Sequence, residues 1–127
     1  MTRIAHQRVV PMLLVVALTF SACASRQAQL EDIALSVGEL ALQVDHAERV
    51  AYESGLYSAA RHKTLGVIVL RILVAAQAFE RAALTGHDGR IERQEVIAAL
   101  DAAAKASIDI PPLSAAIFAV QRFLGGA

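Results

Sequence analysis

Residues 28–54 decide the fold of this chain, and they read AQLEDIALSVGELALQVDHAERVAYES. Apolar residues recur there at alternating intervals of three and four, which is the spacing of one face of an α-helix. The members of this stripe are Leu30, Ile33, Val37, Leu40, Val44, Ala47 and Ala51. Glu31 and Asp32 suit the positive end of the helix dipole, and Gly55 supplies a stop. The pattern predicts a helix from about Ala28 to Ser54.

The segment from Ser58 to Leu84 is predicted to form a second helix. Its stripe consists of Leu65, Ile68, Ile72, Ala75, Phe79 and Ala82. A further set of aliphatic residues widens the apolar surface beyond one stripe: Val67, Val69, Leu70, Leu73 and Val74. A helix that is apolar on most sides is usually buried, so we expect this helix to be central in its bundle. Arg71 interrupts the apolar run, which argues against a membrane span.

Two shorter helices follow. Asp88 is the expected cap of a third helix from about Arg90 to Ser107. The apolar members of this helix are Ile91, Val96, Ile97, Leu100, Ala103 and Ala104. Pro111-Pro112 starts a fourth helix, because proline fits a first helical turn, and Gly125-Gly126 ends it. Its buried stripe is expected to be Leu113, Ile117, Val120 and Leu124.

The composition agrees with an all-α fold, a small antiparallel bundle of about four helices. The chain has 127 residues, of which 26 are Ala, three are Pro and none is Trp. So much alanine with so few aromatic residues favours helices over a β-sandwich or barrel. Alanine at stripe positions lets helices approach closely but buries less area than leucine. This leaves room for stabilisation by self-association or by a partner helix.

The charge balance restricts the function. The chain has twelve basic and twelve acidic residues, and this balance argues against a general nucleic-acid binder. The charges are nevertheless unevenly spread, with two basic and six acidic groups in residues 26–55, and four basic and one acidic in residues 56–84. Either opposite charges flank the seam between the first two helices, or the acidic face of the first helix is simply solvated.

The first residues of the chain have a separate character. Arg3 and Arg8 accompany the uncharged run VVPMLLVVALTF at 9–20, and the small pair Ser21-Ala22 leads into Cys23, the single cysteine. This pattern resembles the signal peptide and lipobox of bacterial lipoproteins. With one cysteine, a disulfide framework or a Cys-based zinc site within one chain is excluded.

The resemblance implies how the protein is processed and anchored. Residues 1–22 would be a signal peptide cleaved after Ala22, and residues 23–127 the mature helical domain. Cys23 would carry acyl chains, such as palmitate, that hold the protein in the membrane. Because no Asp follows Cys23, the sequence resembles the sorting pattern for the outer membrane, facing the periplasm. The alternatives are plain secretion and an uncleaved signal anchor.

Catalytic and metal-binding patterns are weak. No Gly-x-Ser-x-Gly elbow, Glu-x-x-His motif or glycine-rich phosphate loop occurs. Residues 88–95 resemble the second half of an EF-hand loop, but its first and third positions fall on Leu84 and Gly86, which have no side-chain oxygen. His46 is expected to be solvated on the polar side of the first helix, near Glu48. We therefore expect no enzyme activity, no metal and no cofactor.

The densest basic cluster is Arg61-His62-Lys63, close to Tyr52 and Tyr57. It is the candidate surface for a protein partner or an anionic lipid headgroup, and the alternative is a solvated helix start. Together these features suggest a lipid-anchored protein of the cell envelope that acts by protein binding, as an accessory or structural subunit of an envelope complex. The alternative is a protective lipoprotein of the immunity or phage-exclusion type.

Overall fold

The computed structural model describes the backbone of residues 2–126 and the side chains of residues 23–126. Four helices follow one another and no strand occurs in the described backbone: α1 (Thr2–Glu53), α2 (Ala59–Leu84), α3 (Arg90–Ala106) and α4 (Pro111–Gly126). The predicted all-α bundle is therefore confirmed. The predicted signal segment 1–22, with cleavage at Ala22, lies outside the residues whose side chains are described.

The helix limits agree with the sequence prediction except at the start of α1. The predicted start near Ala28 is wrong, because α1 already begins at Thr2. Residues 12–27 contain neither glycine nor proline, and most of them favour helix, so nothing in the sequence interrupts the helix there. At the other limits the observed and predicted residues coincide or differ by one.

The four helices form a ring in which each contacts two neighbours. The described contacts join α1 with α2, α2 with α3, α3 with α4, and α4 with α1. Short connections make successive helices antiparallel. One end of the bundle, the Cys23 end, holds Cys23 and the α2–α3 connection. The other end, the Tyr57 end, holds the α1–α2 and α3–α4 connections.

The expected central position of α2 is wrong. In the ring α2 occupies a corner, with α1 and α3 as its neighbours, and its outward face stays uncovered. Val67, Leu70 and Val74 on this face are 53%, 56% and 57% exposed. The two neighbouring helices thus leave part of the apolar surface of α2 exposed.

The core combines bulky residues of α2, α3 and α4 with small residues of α1. Its largest fully buried aliphatic and aromatic side chains include Phe79, Ile72, Leu100, Leu113 and Ile117. From α1 it takes Ala34, Val37, Ala41, Val44 and Ala51. Small side chains allow close approach of a neighbouring helix. The predicted stripe of α4 is buried throughout, whereas Ile91, a predicted apolar member of α3, is 72% exposed.

The tight α2–α3 connection depends on glycine. Gly89 has a φ of 67°, a left-handed conformation, and a Cβ there would come 2.9 Å from Cε2 of Phe79. Asp88 accepts a hydrogen bond from the backbone N–H of Arg90 at 3.1 Å. The prediction that Asp88 is the cap of α3 is therefore wrong: Gly89 is the N-cap residue, and the Asp88 carboxylate accepts from the first N–H of the helix from one position earlier.

Candidate functional site: the start of α2 and the α2–α3 groove

The three side chains of the predicted basic cluster point to different surroundings. The Arg61 guanidinium binds Asp109 through two hydrogen bonds, at 2.6 and 2.5 Å, and donates a third to the Ala106 carbonyl at 3.2 Å. His62 turns toward α1 and contacts Glu48. Lys63 is exposed. Two of the three basic side chains thus have hydrogen-bond partners within the protein.

Helix geometry explains why neighbours in the sequence go to different partners. Ser58 caps α2 by accepting from the Arg61 N–H at 3.2 Å, which fixes the first turn. Successive residues of a helix point about 100° apart. Arg61 consequently faces the α3–α4 connection, while His62 faces α1.

The contact between His62 and Glu48 is mostly buried. The Glu48 side chain is 2% exposed, and its Oε1 lies 2.5 Å from Nδ1 of His62. Since a carboxylate oxygen only accepts, Nδ1 is the donor. The His62 ring also stacks on Tyr52, with ring centroids 3.9 Å apart and planes 4° apart. The imidazole is therefore held on two sides.

Glu48, which the sequence patterns did not place in the core, is buried. His46 is exposed as expected. A signal for Glu48 exists in the sequence, because it follows Val44 by four residues and precedes Ala51 by three, which continues the buried stripe. It was missed because a carboxylate was counted as polar wherever it fell.

Tyr57 completes a polar network at the same end of the bundle. Its hydroxyl donates to the backbone carbonyl of Glu48 at 2.6 Å. Burial, and next the negative charge of Glu48, raise the pKa of Tyr57 to about 12. The Arg61 guanidinium carbon lies 6.0 Å from the centre of the Tyr57 ring. Hydrogen bonds from Arg61 hold the pKa of Asp109 below its ordinary value.

A cavity of about 560 Å³ with both polar and apolar walls lies beside His62, between α1 and α2. Its walls include Glu48, Tyr52, His62 and the ion pair of Asp45 with Arg49, whose charged atoms are 3.1 Å apart. In the described part of the chain His62 makes no hydrogen bond to a hydroxyl or thiol. No group of three potential metal-ligating side chains occurs there either. The arrangement fixes the orientation of the imidazole and brings no nucleophile to it.

The two alternatives for the charges of α1 and α2 are each correct in part. Glu48 and His62 form a hydrogen bond across the seam, whereas Arg61 binds Asp109 and Asp45 pairs with Arg49 on its own helix. Most of the acidic excess of α1 thus remains at the surface.

An apolar cavity, also about 560 Å³, lies between α2 and α3, and we call it the α2–α3 groove. Large side chains of α2 form a ridge on one side, Val67, Leu70 and Val74. Alanines form a trough on the α3 side, Ala98, Ala99 and Ala102. Arg71 and Glu95 also line the groove, and neither has an ion-pair partner among the side chains of residues 23–126. These three α2 residues were expected to be buried, and they are exposed.

Cys23 is exposed, and it lies close to the folded bundle. Four residues later, the Gln27 side-chain amide donates to the Ala83 carbonyl at 2.5 Å. None of the helices, over the residues that are described, is both long and apolar enough to cross a membrane. No known protein family matches the chain, and neither a curated protein nor a solved structure is significantly similar to it.

Proposed function

We propose that this protein is a lipid-anchored component of the bacterial envelope that binds another polypeptide, as an accessory or structural subunit of an envelope complex. The single observation that carries the binding function is the α2–α3 groove. Its ridge consists of three aliphatic side chains, each more than half exposed. Aliphatic side chains gain about 1.5–3 kcal/mol on full burial, so covering the ridge favours association.

The groove also specifies the chemistry of its occupant. A helix fits between a ridge of large side chains and a trough of alanines, because large side chains of a partner can enter the trough. Two charged side chains line the groove, so a complementary partner has a carboxylate opposite Arg71 and a cation opposite Glu95. The partner is therefore an amphipathic helix with an aliphatic stripe and one charge of each sign beside it.

The position of the proposed anchor favours a protein in the groove over a lipid surface. Gln27 ties α1 to the end of α2 one helical turn after Cys23, so an acylated Cys23 would hold that end of the bundle against the membrane. The groove runs along the side of the bundle, and Leu70 lies about 20 Å from the Cys23 end at a rise of 1.5 Å per residue. A partner in the periplasm can reach it there.

Fatty-acid labelling tests the anchor. We expect wild-type protein in cells to incorporate radiolabelled palmitate and to fractionate with the outer membrane, and Cys23→Ser to lose both properties. Ser25→Ala is the matched control and should keep them. Unlabelled wild-type protein would contradict the proposed anchor.

Site-specific photo-crosslinking in membranes tests the groove. A photoreactive residue at Leu70 should crosslink a polypeptide, and one at Leu42, which is 62% exposed on α1, should not. Mass spectrometry of the product should locate the link in a helix with an aliphatic stripe, and Arg71→Glu should reduce its yield. Links from position 70 to lipid alone, or equal links from both positions, would contradict this function.

A further inference from the structure

We infer that the Cys23 end of the bundle makes a second membrane contact besides the anchor, through a surface that binds anionic phospholipid headgroups and buries aliphatic side chains among them. The members of this surface, which we call the end surface, are Arg26, Arg81, Leu84, Arg90 and Ile91. This inference rests on the proposed anchor at Cys23. The position, exposure and charge of the five residues support it.

The end surface lies level with Cys23. The Gln27 side-chain amide donates to the Ala83 carbonyl at 2.5 Å, which places these two residues at the same height. Cys23 precedes Gln27 by about one helical turn, or about 6 Å along α1, and α2 continues beyond Ala83 in that same direction to the α2–α3 connection. Cys23, which is exposed, and the connection therefore share the outermost level of the bundle.

The chain before Cys23 directs the same end toward lipid. The uncharged run VVPMLLVVALTF at 9–20 immediately precedes Ser21, Ala22 and Cys23 in the sequence. After cleavage at Ala22, acyl chains on Cys23 would leave the protein from this end. Without cleavage, the apolar run itself would leave from there. In either form of attachment the Cys23 end is the part of the bundle nearest to the membrane.

Two aliphatic side chains of the end surface are exposed. Leu84, the last residue of α2, is 54% exposed, and Ile91, in the first turn of α3, is 72% exposed. Ile91 lies five residues before Val96 and nine before Leu100, so at 100° per residue it faces away from these buried residues. The core covers neither aliphatic side chain, and burial in a membrane surface would remove their apolar area from water.

The arginines of the end surface lack carboxylate partners. Arg26, Arg81 and Arg90 are exposed, and none of them forms an ion pair with a side chain of residues 23–126. Toward the Tyr57 end, in contrast, Arg49 and Arg61 each bind an aspartate. A guanidinium matches a phosphate in charge and in hydrogen-bonding geometry. The three arginines are therefore suited to phospholipid headgroups.

The Cys23 end is also positive as a whole. Within four residues of this end, the four helices and the α2–α3 connection hold five arginines and three carboxylates. The arginines are Arg26, Arg81, Arg90, Arg93 and Arg122, and the carboxylates are Glu80, Asp88 and Glu92. An anionic membrane attracts such an excess of positive charge. Because acyl chains attach at a single point, they leave the bundle free to tilt. The end surface would hold the helices upright and the α2–α3 groove away from the lipid.

Tryptophan fluorescence tests the contact, because the chain has no tryptophan of its own. Ile91→Trp and Ile108→Trp are made in the full chain with Cys23 present, purified from membranes and reconstituted into vesicles of phosphatidylglycerol and phosphatidylcholine. Ile108 is the matched control, since it is 82% exposed and lies 18 residues after Arg90, about 27 Å from the Cys23 end. Lipids with brominated acyl chains should quench and blue-shift the emission from position 91 and leave position 108 unchanged.

Charge reversal tests the headgroup contact. In Arg81→Glu/Arg90→Glu the quenching at position 91 should fall at least about fivefold, because each cation near an anionic surface contributes about a factor of five to binding. Lys63→Glu/Lys105→Glu is the matched control, since it changes the net charge equally but lies more than about 20 Å from the Cys23 end, beyond the screening length of about 8 Å. This control should keep the quenching. Vesicles of phosphatidylcholine alone should reproduce the effect of the arginine reversal, and circular dichroism shows that the helices of each variant are intact.

The outcomes separate this inference from the proposed function. Palmitate-labelled protein with no quenching at position 91, or with equal quenching at 91 and 108, would overturn the end surface and keep the anchor. Arginine-dependent quenching at position 91 in protein that takes up no palmitate would overturn the anchor and keep the end surface. Quenching that survives the arginine reversal, or that persists in phosphatidylcholine alone, would overturn the headgroup contact. A photoreactive residue at position 91 that links a polypeptide and no lipid in membranes would overturn it as well.

Discussion

Arg61 and His62 are neighbours in the sequence, and each binds a carboxylate of another segment at 2.5 Å, yet the two contacts differ in environment. The side chains of Arg61 and Asp109 are 36% and 58% exposed, whereas Glu48, the partner of His62, is 2% exposed. An exposed pair exchanges hydrogen bonds with water for hydrogen bonds with each other, so little is gained. A buried carboxylate cannot hydrogen-bond to water when its partner is removed, so its burial is tolerated only with that partner in place.

The buried contact is itself asymmetric. The His62 side chain is 36% exposed and can reach water without Glu48, whereas Glu48 has no such alternative. Removing the imidazole should therefore cost more than removing the carboxylate. The cost of breaking a buried hydrogen bond therefore depends on which of the two groups is left without a partner.

The largest expected effect is that of His62→Ala. This change leaves the buried Glu48 carboxylate without its donor and removes the stacking on Tyr52, so we expect the free energy of unfolding to fall by about 3 kcal/mol. Urea unfolding followed by circular dichroism at neutral pH measures it. His46→Ala is the control, because His46 is exposed on α1, and it should change stability by less than about 0.5 kcal/mol. Equal losses in the two variants would show that the contact is not important.

A smaller effect is expected at Glu48. Glu48→Met replaces the buried carboxylate with an apolar side chain of similar size, and the partly exposed His62 ring can donate to water instead, so we expect a change within about 1 kcal/mol. Glu48→Ala leaves a cavity and should cost about 2 kcal/mol. The backbone carbonyl that accepts from Tyr57 remains in both variants. A larger loss for Glu48→Met than for His62→Ala in the same urea assay would reverse the proposed asymmetry.

The loss of stability at alkaline pH should depend on the ionisation of Tyr57. Its pKa is raised from 10.0 to about 12 in the folded protein, so the unfolded chain loses the phenol proton first as the pH rises. Stability should be constant with respect to this group below pH 10 and should fall between pH 10 and 12. Tyr57→Phe should flatten that slope and Tyr52→Phe should retain it, as measured by thermal unfolding across this range. An unchanged slope in Tyr57→Phe would assign the alkaline loss to other groups.

The contrast between the two contacts also shows what the sequence could predict. Helix spacing predicted the bundle, and it predicted the buried stripe of α4 residue by residue. It could not separate the covered from the uncovered aliphatic residues of α2, because periodicity counts apolar residues and not neighbouring helices.

Polar partners were harder to predict. Arg61 and Asp109 are 48 residues apart, and they meet only because the α3–α4 connection lies beside the start of α2. Glu48 lies on the apolar stripe of α1, and its burial depends on an imidazole from the next helix. Contacts of this kind depend on which segments the ring brings together, and local sequence patterns do not contain that information.

The smallest effect is expected at Asp109. Hydrogen bonds from Arg61 lower its pKa below the ordinary 3.8, so its contribution to stability is fully present above that pH and is lost as the pH falls through the lower folded value. Asp109→Asn should therefore lower the unfolding temperature at neutral pH by only a fraction of the decrease in unfolding temperature that His62→Ala causes. The difference from wild type should vanish in acid, and also at about 1 M salt, where exposed charges are screened. Asp32→Asn, at an exposed aspartate of α1, is the control and should show neither dependence. If Asp109→Asn still lowered the unfolding temperature at high salt, the contact would stabilise the protein through its hydrogen bonds and not through the attraction of exposed charges.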